Sequence, residues 1–329
     1  MSERILVTGA TGFVGQHLVQ RLVEDGHKVT AVDIKRHPPA AIEHLVGDQV
    51  EYHHGSVIHE DFVENVLFPT PNAYDRIFHL AAIVGVDRYI EPTDPLYPFE
   101  VNFTGTKYLL DQIRGSRTRF VYTSTSEVYG KNPNIPWSED DDQVLGAPGN
   151  SRWSYAVSKS LCEHMIQLFS EVDLGVSSTI VRPFNLYGPY QRPKFVIPKF
   201  IDMVLDGDRP TVYGDGTQSR CFTFIDDFVE GLVRASETTR GENVVYNLGG
   251  TKQTEIGELA ELILELADAD QREPRYVTRE EATGSDFDDI ETRIPDISQA
   301  KSELDWEPTT TLRDGLEETI EWMRTAKFD

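Results

Sequence analysis

The sequence predicts an α/β protein with a doubly wound parallel sheet and a smaller C-terminal lobe. Short apolar runs alternate with amphipathic segments, a glycine-rich turn joins the first run to the first helix, and prolines interrupt the chain from residue 183 onward. Strands that alternate with helices form parallel sheets through right-handed crossovers. We therefore expect residues 1–182 to form the sheet domain and residues 183–329 to form mainly the lobe, with part of 220–250 returning to the sheet.

Each element is predicted from its periodicity and from the residues that bound it. Apolar runs predict strands at 4–8, 28–33, 51–54, 76–80, 119–123 and 176–181. Helical periodicity predicts helices at 13–25, 99–114, 153–171, 195–206, 226–239, 255–268 and 311–326. Gly26 is placed to cap the first helix, since glycine tolerates the left-handed conformation that ends helices. The glycines of Gly214–Gly216 predict a turn, and the acidic, aperiodic stretch 279–291 predicts a loop.

Composition limits the class of protein. The chain has 329 residues, of which 39% are hydrophobic, enough for one large domain with a smaller lobe. The longest apolar stretch, residues 77–86, is too short to cross a bilayer, and no signal peptide precedes the first strand. Cys162 and Cys221 cannot form a disulfide framework, which favours a reducing, cytoplasmic setting. We expect no membrane partner.

The charge of the chain is strongly acidic, with 55 acidic against 31 basic residues and a net charge of −24. A nucleic-acid surface needs a basic stripe, and the sequence contains none, so we expect no nucleic-acid partner. A surface this acidic and poor in lysine suits a high-salt cytoplasm, which leads to the hypothesis of a halophilic source. The nine histidines lack the spacing of a ligand set, so no metal site is predicted.

The first strand is followed by a turn that contains Gly9, Gly12 and Gly15 and opens the first helix. Small residues let the backbone approach a pyrophosphate, and a helix N-terminus supplies N–H groups to it. The turn therefore predicts a dinucleotide site, to which Thr11, Phe13 and Val14 also belong. Asp33 ends the second strand, where a carboxylate accepts hydrogen bonds from the adenosine ribose and repels a 2′-phosphate. This favours NAD over NADP.

Tyr155 and Lys159 are one helical turn apart and share a face of their helix. A neighbouring ammonium group stabilises a phenolate, so we expect Lys159 to lower the pKa of Tyr155. The tyrosine would then accept a hydroxyl proton while a hydride leaves for NAD⁺. Such a pair predicts an alcohol-oxidising enzyme when it follows a dinucleotide turn.

At this point the chain resembles the extended short-chain dehydrogenase/reductases, the family of NAD-dependent nucleotide-sugar epimerases, dehydratases and decarboxylases. The resemblance covers nearly the whole length and rests on several motifs, which include Gly9–Gly15, His79–Ala82, Asn102–Thr106, Tyr155 with Lys159, Arg182–Pro189 and Arg293–Asp296. It implies a Rossmann fold, a nucleotide-sugar substrate and a homodimer that pairs helices 99–114 and 153–171.

The resemblance also implies further site residues. The expected cofactor contacts beyond the glycine turn are Asp33, Ser56, Val57, Leu80, Ala81, Ala82, Tyr155 and Lys159. The expected substrate contacts are Tyr89, Arg152, Asn185, Arg192, Tyr213, Arg220 and Arg293. Family members place a residue like Thr125 on the sugar hydroxyl at carbon 4, while Asn185, Tyr213 and Arg220 match positions that grip the nucleotide diphosphate.

Oxidation at carbon 4 opens three reactions, and Glu127 bears on the choice between them. Dehydratases and uronic-acid decarboxylases of the family resemble this chain in carrying a glutamate there. Dehydratases of the deoxythymidine-diphosphate type have an acid before it, where this chain has Ser126, a poor acid at neutral pH. The fork of Arg152 suits a carboxylate, and Arg293 matches an arginine thought to supply a proton.

The leading hypothesis is therefore a UDP-glucuronate decarboxylase, with a 4,6-dehydratase, a 4-epimerase and a non-catalytic NAD-binding sensor as alternatives. Two simpler interpretations stay open at this stage. Glu127 could be a solvated or cofactor-facing acid on an epimerase scaffold. Arg152 could form a surface ion pair with the acidic loop Glu139–Asp142.

Overall fold

The structure is a computed structural model that describes residues 2–85, 89, 93–172, 176–238, 243–269, 271–278, 290 and 292–326. The loop predicted over 279–291 lies outside the described residues, except for Ile290. Residue 239, the last of the helix predicted over 226–239, also lies outside them.

Within these residues, the central sheet has seven parallel strands and confirms the predicted doubly wound fold. From one edge to the other the strands are β11 (Val244–Leu248), β6 (Ser177–Pro183), β5 (Arg119–Thr123), β4 (Arg76–His79), β1 (Arg4–Thr8), β2 (Lys28–Asp33) and β3 (Val50–His54). The chain order reverses between β1 and β4. Ligands of open α/β sheets bind at such a switch point, outside the carboxyl ends of the strands.

Helices cover both faces of the sheet and build the C-terminal half. They are α1 (Phe13–Glu24), α2 (Ala40–Glu43), α3 (Glu60–Phe62), α4 (Tyr97–Phe99), α5 (Gly105–Gln112), α6 (Ser154–Val172), α7 (Val196–Leu205), α8 (Ile225–Glu237), α9 (Ile256–Leu266), α10 (Ser298–Leu304) and α11 (Leu312–Thr325). Short 3₁₀ turns cover Ser126–Tyr129 and Ser151–Trp153, and a π turn, Val63–Leu67, extends α3. Gly26 follows α1 with a φ of 83°, as its predicted capping role requires.

The sheet is apolar on both faces because a helical layer packs on each. Along β1, Ile5 and Val7 belong to one core cluster and Leu6 to the other. Successive side chains of a strand point to opposite faces, and a parallel sheet buries both of them. Among the helices of the described residues, none combines the length and apolar content needed to cross a bilayer.

The C-terminal half adds three small two-stranded sheets beside the central one. Their pairs are β7 (Leu186–Tyr187) with β10 (Thr223–Phe224), β9 (Ser219–Cys221) with β12 (Gln253–Glu255), and β8 (Thr211–Tyr213) with β13 (Arg275–Val277). Strand β11 returns to the central sheet and pairs with β6. The short helix α10 was not predicted, since seven residues give little periodicity.

The single helix predicted over 99–114 is wrong in one respect. The π turn Glu100–Thr104 separates α4 from α5. Asn102 lies in this turn, buried, and its side chain bonds the backbone N–H of Ile83 at 2.8 Å and the hydroxyl of Ser158 at 3.0 Å. Such turns occur often at functional sites, where they redirect a side chain.

Candidate active site

The glycine turn after β1 has the geometry that close backbone packing requires. Gly9 has a φ of 74°, and a Cβ there would lie 2.7 Å from the backbone nitrogen of Ala81. A Cβ on Gly15 would collide with the carbonyl oxygen of Gly9. Helix α1 begins at this turn without a side-chain cap. Its first N–H groups are therefore available to an anion, as a dinucleotide pyrophosphate site needs.

The other predicted cofactor residues follow neighbouring strands at the same edge of the sheet. Asp33 ends β2, and its carboxylate accepts a hydrogen bond from the backbone N–H of Thr11 at 3.0 Å. Residues 56–57 come after β3, and 80–82 come after β4. Val57 is buried, and Ala81 donates its N–H to the hydroxyl of Thr8 at 3.3 Å. The fold thus brings these segments around the switch point, and they fit a dinucleotide.

Tyr155 lies in the first turn of α6 and is 5% exposed. Burial raises its pKa above the usual value, and Tyr89 and Glu127 act in the same direction, whereas a hydrogen bond with Thr125 lowers it. The rings of Tyr155 and Tyr89 are 5.8 Å apart. The expectation that the chain lowers this pKa is therefore wrong, because burial outweighs the polar contacts.

Lys159 lies one turn further along α6 and is also buried. Its ammonium group donates to the carbonyl oxygen of Thr123 at 2.8 Å and lies 4.5 Å from the ring centroid of Tyr122. Burial lowers its pKa to about 8. This hydrogen bond holds the lysine at the end of β5, beside the turn that carries Thr125.

Glu127 belongs to the 3₁₀ turn after β5, and its carboxylate lies between the side chains of two arginines. One carboxylate oxygen accepts from Arg152 at 2.6 Å, and the other contacts the guanidinium of Arg293. Burial alone would raise the pKa of Glu127, but Arg293 and Arg152 outweigh it and hold the pKa below its usual value. Glu127 is 9% exposed and Arg152 is 2% exposed. The interpretation of Glu127 as a solvated acid is therefore wrong, and so is the interpretation of Arg152 as part of a surface ion pair.

The turn itself is shaped by Thr125 and Ser126. The hydroxyl of Thr125 caps the turn by accepting from the N–H of Glu127 at 3.2 Å. Ser126 is buried. Within the described residues, the hydroxyls of Thr123 and Ser124 are buried and make no hydrogen bond. Buried hydroxyls of this kind at a strand end fit a polar ligand bound beside them.

A cavity of about 300 Å³ lies in the C-terminal half. Its lining includes the predicted Asn185, Tyr213 and Arg220. It also includes Lys194 and Lys199, which the sequence did not single out, and the ammonium of Lys199 donates to the hydroxyl of Tyr213 at 2.9 Å. Three cations in one cavity of a chain with net charge −24 favour an anionic ligand.

Four of the seven predicted substrate residues do not line this cavity: Arg152 and Arg293 contact Glu127, and the other two are Arg192 and Tyr89. Arg192 is not among the residues that line the cavity. Tyr89 is buried, and its hydroxyl accepts from Asn102 at 2.7 Å and lies 3.2 Å from the hydroxyl of Ser158. Their contacts with substrate stay predictions.

His79 is a residue whose place the sequence did not reveal. Its ring nitrogens bond the hydroxyls of Thr8 at 2.7 Å and Thr106 at 2.9 Å, and burial and then Lys159 lower its pKa to about 3. It is a neutral link between β1, β4 and α5. The described residues contain no group of three or more His, Cys, Asp or Glu side chains placed to hold a metal.

The doubly wound sheet, the glycine turn and the buried tyrosine–lysine pair define a short-chain dehydrogenase/reductase type of site. The family model described as GDP-mannose 4,6 dehydratase matches residues 6–319. The chain therefore belongs to this family of extended short-chain dehydrogenase/reductases, which confirms the resemblance predicted from the motifs.

Three relatives represent two reactions, decarboxylation and 4-epimerisation. The UDP-N-acetyl-alpha-D-glucosaminuronate decarboxylase of Bacillus cytotoxicus is 37% identical over the full length of both chains. The UDP-glucuronic acid decarboxylase 1 of Xenopus tropicalis is 33% identical over 98% of this chain and 72% of its own. The UDP-glucuronic acid 4-epimerase of Bacillus cereus, solved with UDP-glucuronic acid and NAD, is 29% identical, with a TM-score of 0.82 over 98% of this chain and 99% of its own.

Proposed function

We propose that this protein is a UDP-glucuronate decarboxylase that oxidises the sugar at carbon 4 and retains NAD between the two hydride transfers. The observation that carries the proposal is the buried group Arg152–Glu127–Arg293 beside Tyr155. Two guanidinium groups thus contact one buried carboxylate beside the oxidising tyrosine. A guanidinium fork binds planar carboxylates, so a sugar acid fits this group better than a neutral sugar.

NAD is the cofactor, as predicted from the glycine turn and Asp33. Related structures of the family are complexes with NAD. When bound, it takes a hydride from carbon 4 and later returns it. The turn at Gly9–Gly15 would hold the pyrophosphate, Asp33 would hold the adenosine ribose, and Tyr155 and Lys159 would lie by the nicotinamide riboside.

The residues of the chain divide the chemistry between them. Thr125 would orient the hydroxyl at carbon 4, and Tyr155 would accept its proton. Because burial raises the pKa of Tyr155, a positive charge has to offset it during turnover. Lys159, one turn further along α6, and bound NAD⁺ would supply that charge.

Decarboxylation follows directly from the ketone. A uronic acid oxidised at carbon 4 is a β-keto acid, so the bond between carbons 5 and 6 breaks, carbon dioxide leaves, and the electron pair passes to the ketone as an enolate. Carbon 5 then takes a proton, which Arg293 or a water held by it would supply, and carbon 4 is reduced again. This route needs no acid at position 126, whereas 4,6-dehydration of the deoxythymidine-diphosphate type would need one there.

The low pKa of Glu127 agrees with this division. An ionised glutamate between two arginines is a poor proton donor for a leaving hydroxyl, and Ser126 is no better. Decarboxylation does not require either residue to donate a proton. The 4-epimerase alternative needs no buried carboxylate at this place.

The 37% identity to a full-length decarboxylase of an N-acetylated uronic acid favours a second candidate substrate, UDP-N-acetylglucosaminuronate. It carries the same carboxylate at carbon 6 and differs at carbon 2. The chemistry at Tyr155 and Glu127 is the same for both.

The decisive experiment is incubation with NAD⁺ and, separately, UDP-glucuronate, UDP-N-acetylglucosaminuronate, UDP-glucose and GDP-mannose. We expect carbon dioxide and a UDP-pentose from UDP-glucuronate, measured by gas release and NMR. Turnover of UDP-glucose without carbon dioxide would instead identify a dehydratase or an epimerase. Tight NAD binding with no turnover of any nucleotide sugar would identify a sensor.

The proposed assembly is a homodimer through α6. This helix exposes apolar side chains along one side, with Val157 at 41%, Leu161 at 48%, Leu168 at 62% and Val172 at 72%. Large apolar side chains exposed at helical spacing suit a second copy of the same helix. Sedimentation of a Leu161→Glu, Leu168→Glu double variant should show a monomer. A wild-type monomer at micromolar concentration would rule the assembly out.

A further inference from the structure

Glu127 and Arg293 contact each other although 166 residues separate them along the chain. Glu127 lies in a four-residue 3₁₀ turn, and Arg293 lies in a segment without helix or strand that precedes α10. Neither element is long enough to fix its own position. Other contacts must therefore set the distance between the two side chains.

One side chain bonds both segments. Asn247 on β11 is fully buried, and its amide oxygen accepts from the hydroxyl of Tyr129 at 2.7 Å. Its amide nitrogen donates to the carbonyl oxygens of Trp137 at 2.9 Å and Asp296 at 3.2 Å. Tyr129 comes two residues after Glu127, and Asp296 comes three residues after Arg293. The amide thus bridges the two sides of the charged group.

The segment after Arg293 is fastened to Trp137 by its backbone. Trp137 donates its N–H to the carbonyl of Ile294 at 2.9 Å, and Asp296 donates its N–H to the carbonyl of Trp137 at 2.7 Å. The indole of Trp137 stacks on the ring of Tyr129, with centroids 5.0 Å apart and planes 20° apart. Trp137 therefore joins the segment that carries Arg293 to the turn that carries Glu127.

The same network reaches the helix that carries Tyr155. Arg182 donates to the hydroxyl of Tyr129 at 2.8 Å. Its other nitrogens bond the carboxylate of Glu163 at 3.0 Å and 2.7 Å. Glu163 lies on α6 one turn after Lys159, so the network ties α6 to the turn that carries Glu127.

We propose that Asn247 is a positioning residue, whose amide sets the separation between the turn that carries Glu127 and the segment that carries Arg293. Its side chain bonds Tyr129, Trp137 and Asp296, none of which the proposed function places on substrate or cofactor. Its effect on turnover passes through the contact between the two charged side chains and rests on the proposed function. Buried polar groups with all their partners in place hold one arrangement, since a lost partner leaves the rest unsatisfied.

The first test compares Asn247→Leu and Tyr129→Phe with Ser178→Ala. Ser178 is buried at the amino-terminal end of β6 and donates to Asn243 at 3.1 Å, so the control also removes one hydrogen bond of a buried side chain. Misplacement of a reacting group by about 1 Å costs on the order of 100-fold in rate. We expect kcat with UDP-glucuronate to fall by roughly that factor in both test variants, with KM within about threefold and the control unchanged.

The pH profile separates positioning from a general loss of structure. The groups that face Glu127 are Arg152, Arg293 and Tyr155. Loss of the Arg293 contact would raise the pKa of Glu127, so the acid limb of the kcat profile should move to higher pH in the test variants. The proposal would be overturned if Asn247→Leu and Tyr129→Phe had the same kcat and the same acid limb of the pH profile as Ser178→Ala.

A second readout does not depend on turnover. Arg293→Met should lower the melting temperature of the wild type more than that of the Asn247→Leu or Tyr129→Phe background, because coupled residues are non-additive. Additive shifts would contradict the positioning role. If Asn247→Leu does not fold, Tyr129→Phe decides, since it removes only one hydroxyl. A wild type without decarboxylase activity would refute the proposed function, while this coupling would still decide the role of Asn247.

Discussion

The charge state of three buried residues determines what this site can do. Glu127 is ionised because two arginines outweigh its burial, Lys159 has a pKa of about 8, and Tyr155 has a raised pKa. Each value follows from the balance between desolvation and a specific partner. Glu127 is therefore an anion in this site, and Tyr155 resists ionisation until positive charge is added.

Removal of the charge of Glu127 tests its role. Glu127→Gln keeps the size of the side chain but removes the carboxylate that Arg152 and Arg293 both contact. We expect turnover of UDP-glucuronate to fall about 100-fold or more, the range of a lost catalytic group. The matched control is Glu64→Gln, which removes an exposed carboxylate. Full epimerisation of UDP-sugars by Glu127→Gln would instead support the 4-epimerase.

Lys159 makes stability depend on pH in a defined window. Its folded pKa of about 8 lies below the ordinary value of 10.5, so the unfolded chain binds more protons between these values. Stability contributed by this residue should therefore rise as pH increases from about 8 to 10.5. The difference in unfolding free energy between wild type and Lys159→Met, followed by urea titration, should change in this window. A difference that stays constant there would contradict the lowered pKa.

At the scale of elements, the sheet edge at the switch point collects the cofactor residues. The glycine turn, the end of β2 and the segments after β3 and β4 all lie there because parallel strands share one carboxyl end. Chain order and strand pattern are enough to predict this. The π turn Glu100–Thr104 could not be predicted, since it depends on contacts of Asn102 with residues from two other segments.

The glycine turn offers a matched pair of substitutions. Gly9 and Gly26 both have positive φ, but a Cβ on Gly9 would meet Ala81, whereas one on Gly26 would meet nothing within 4 Å. Gly26→Ala should cost about 1 kcal/mol, the backbone term alone. Gly9→Ala should lose NAD binding in calorimetry and melt at a markedly lower temperature. Equal behaviour of the two variants would mean that close packing at Gly9 is unimportant.

At the scale of the molecule, local patterns predicted the fold and the tyrosine–lysine pair, because both depend on short spacings. The pairing of Glu127 with Arg293 could not be predicted in the same way, since it joins distant parts of the chain. Lys194 and Lys199 could not be predicted as site residues, because a lone lysine forms no sequence pattern. Only the fold places these two side chains in the cavity. The pKa of Tyr155 was predicted in the wrong direction because burial cannot be measured from spacing.

The acidic surface gives a prediction for the whole molecule. Self-repulsion among charges that sum to −24 should fall as salt screens them. We expect the melting temperature to rise between about 0.1 M KCl and molar KCl, where the Debye length shrinks to about 3 Å. Sucrose of equal osmolality serves as the control. A melting temperature that is indifferent to salt would remove the halophilic hypothesis.

The position of Arg293 late in the chain has a consequence for biosynthesis. A ribosome completes the glycine turn, Asp33 and the tyrosine–lysine helix well before it reaches this arginine. A polypeptide that ends before residue 293 would therefore lack one of the two arginines that contact Glu127, even with every residue of the glycine turn and of the tyrosine–lysine pair in place.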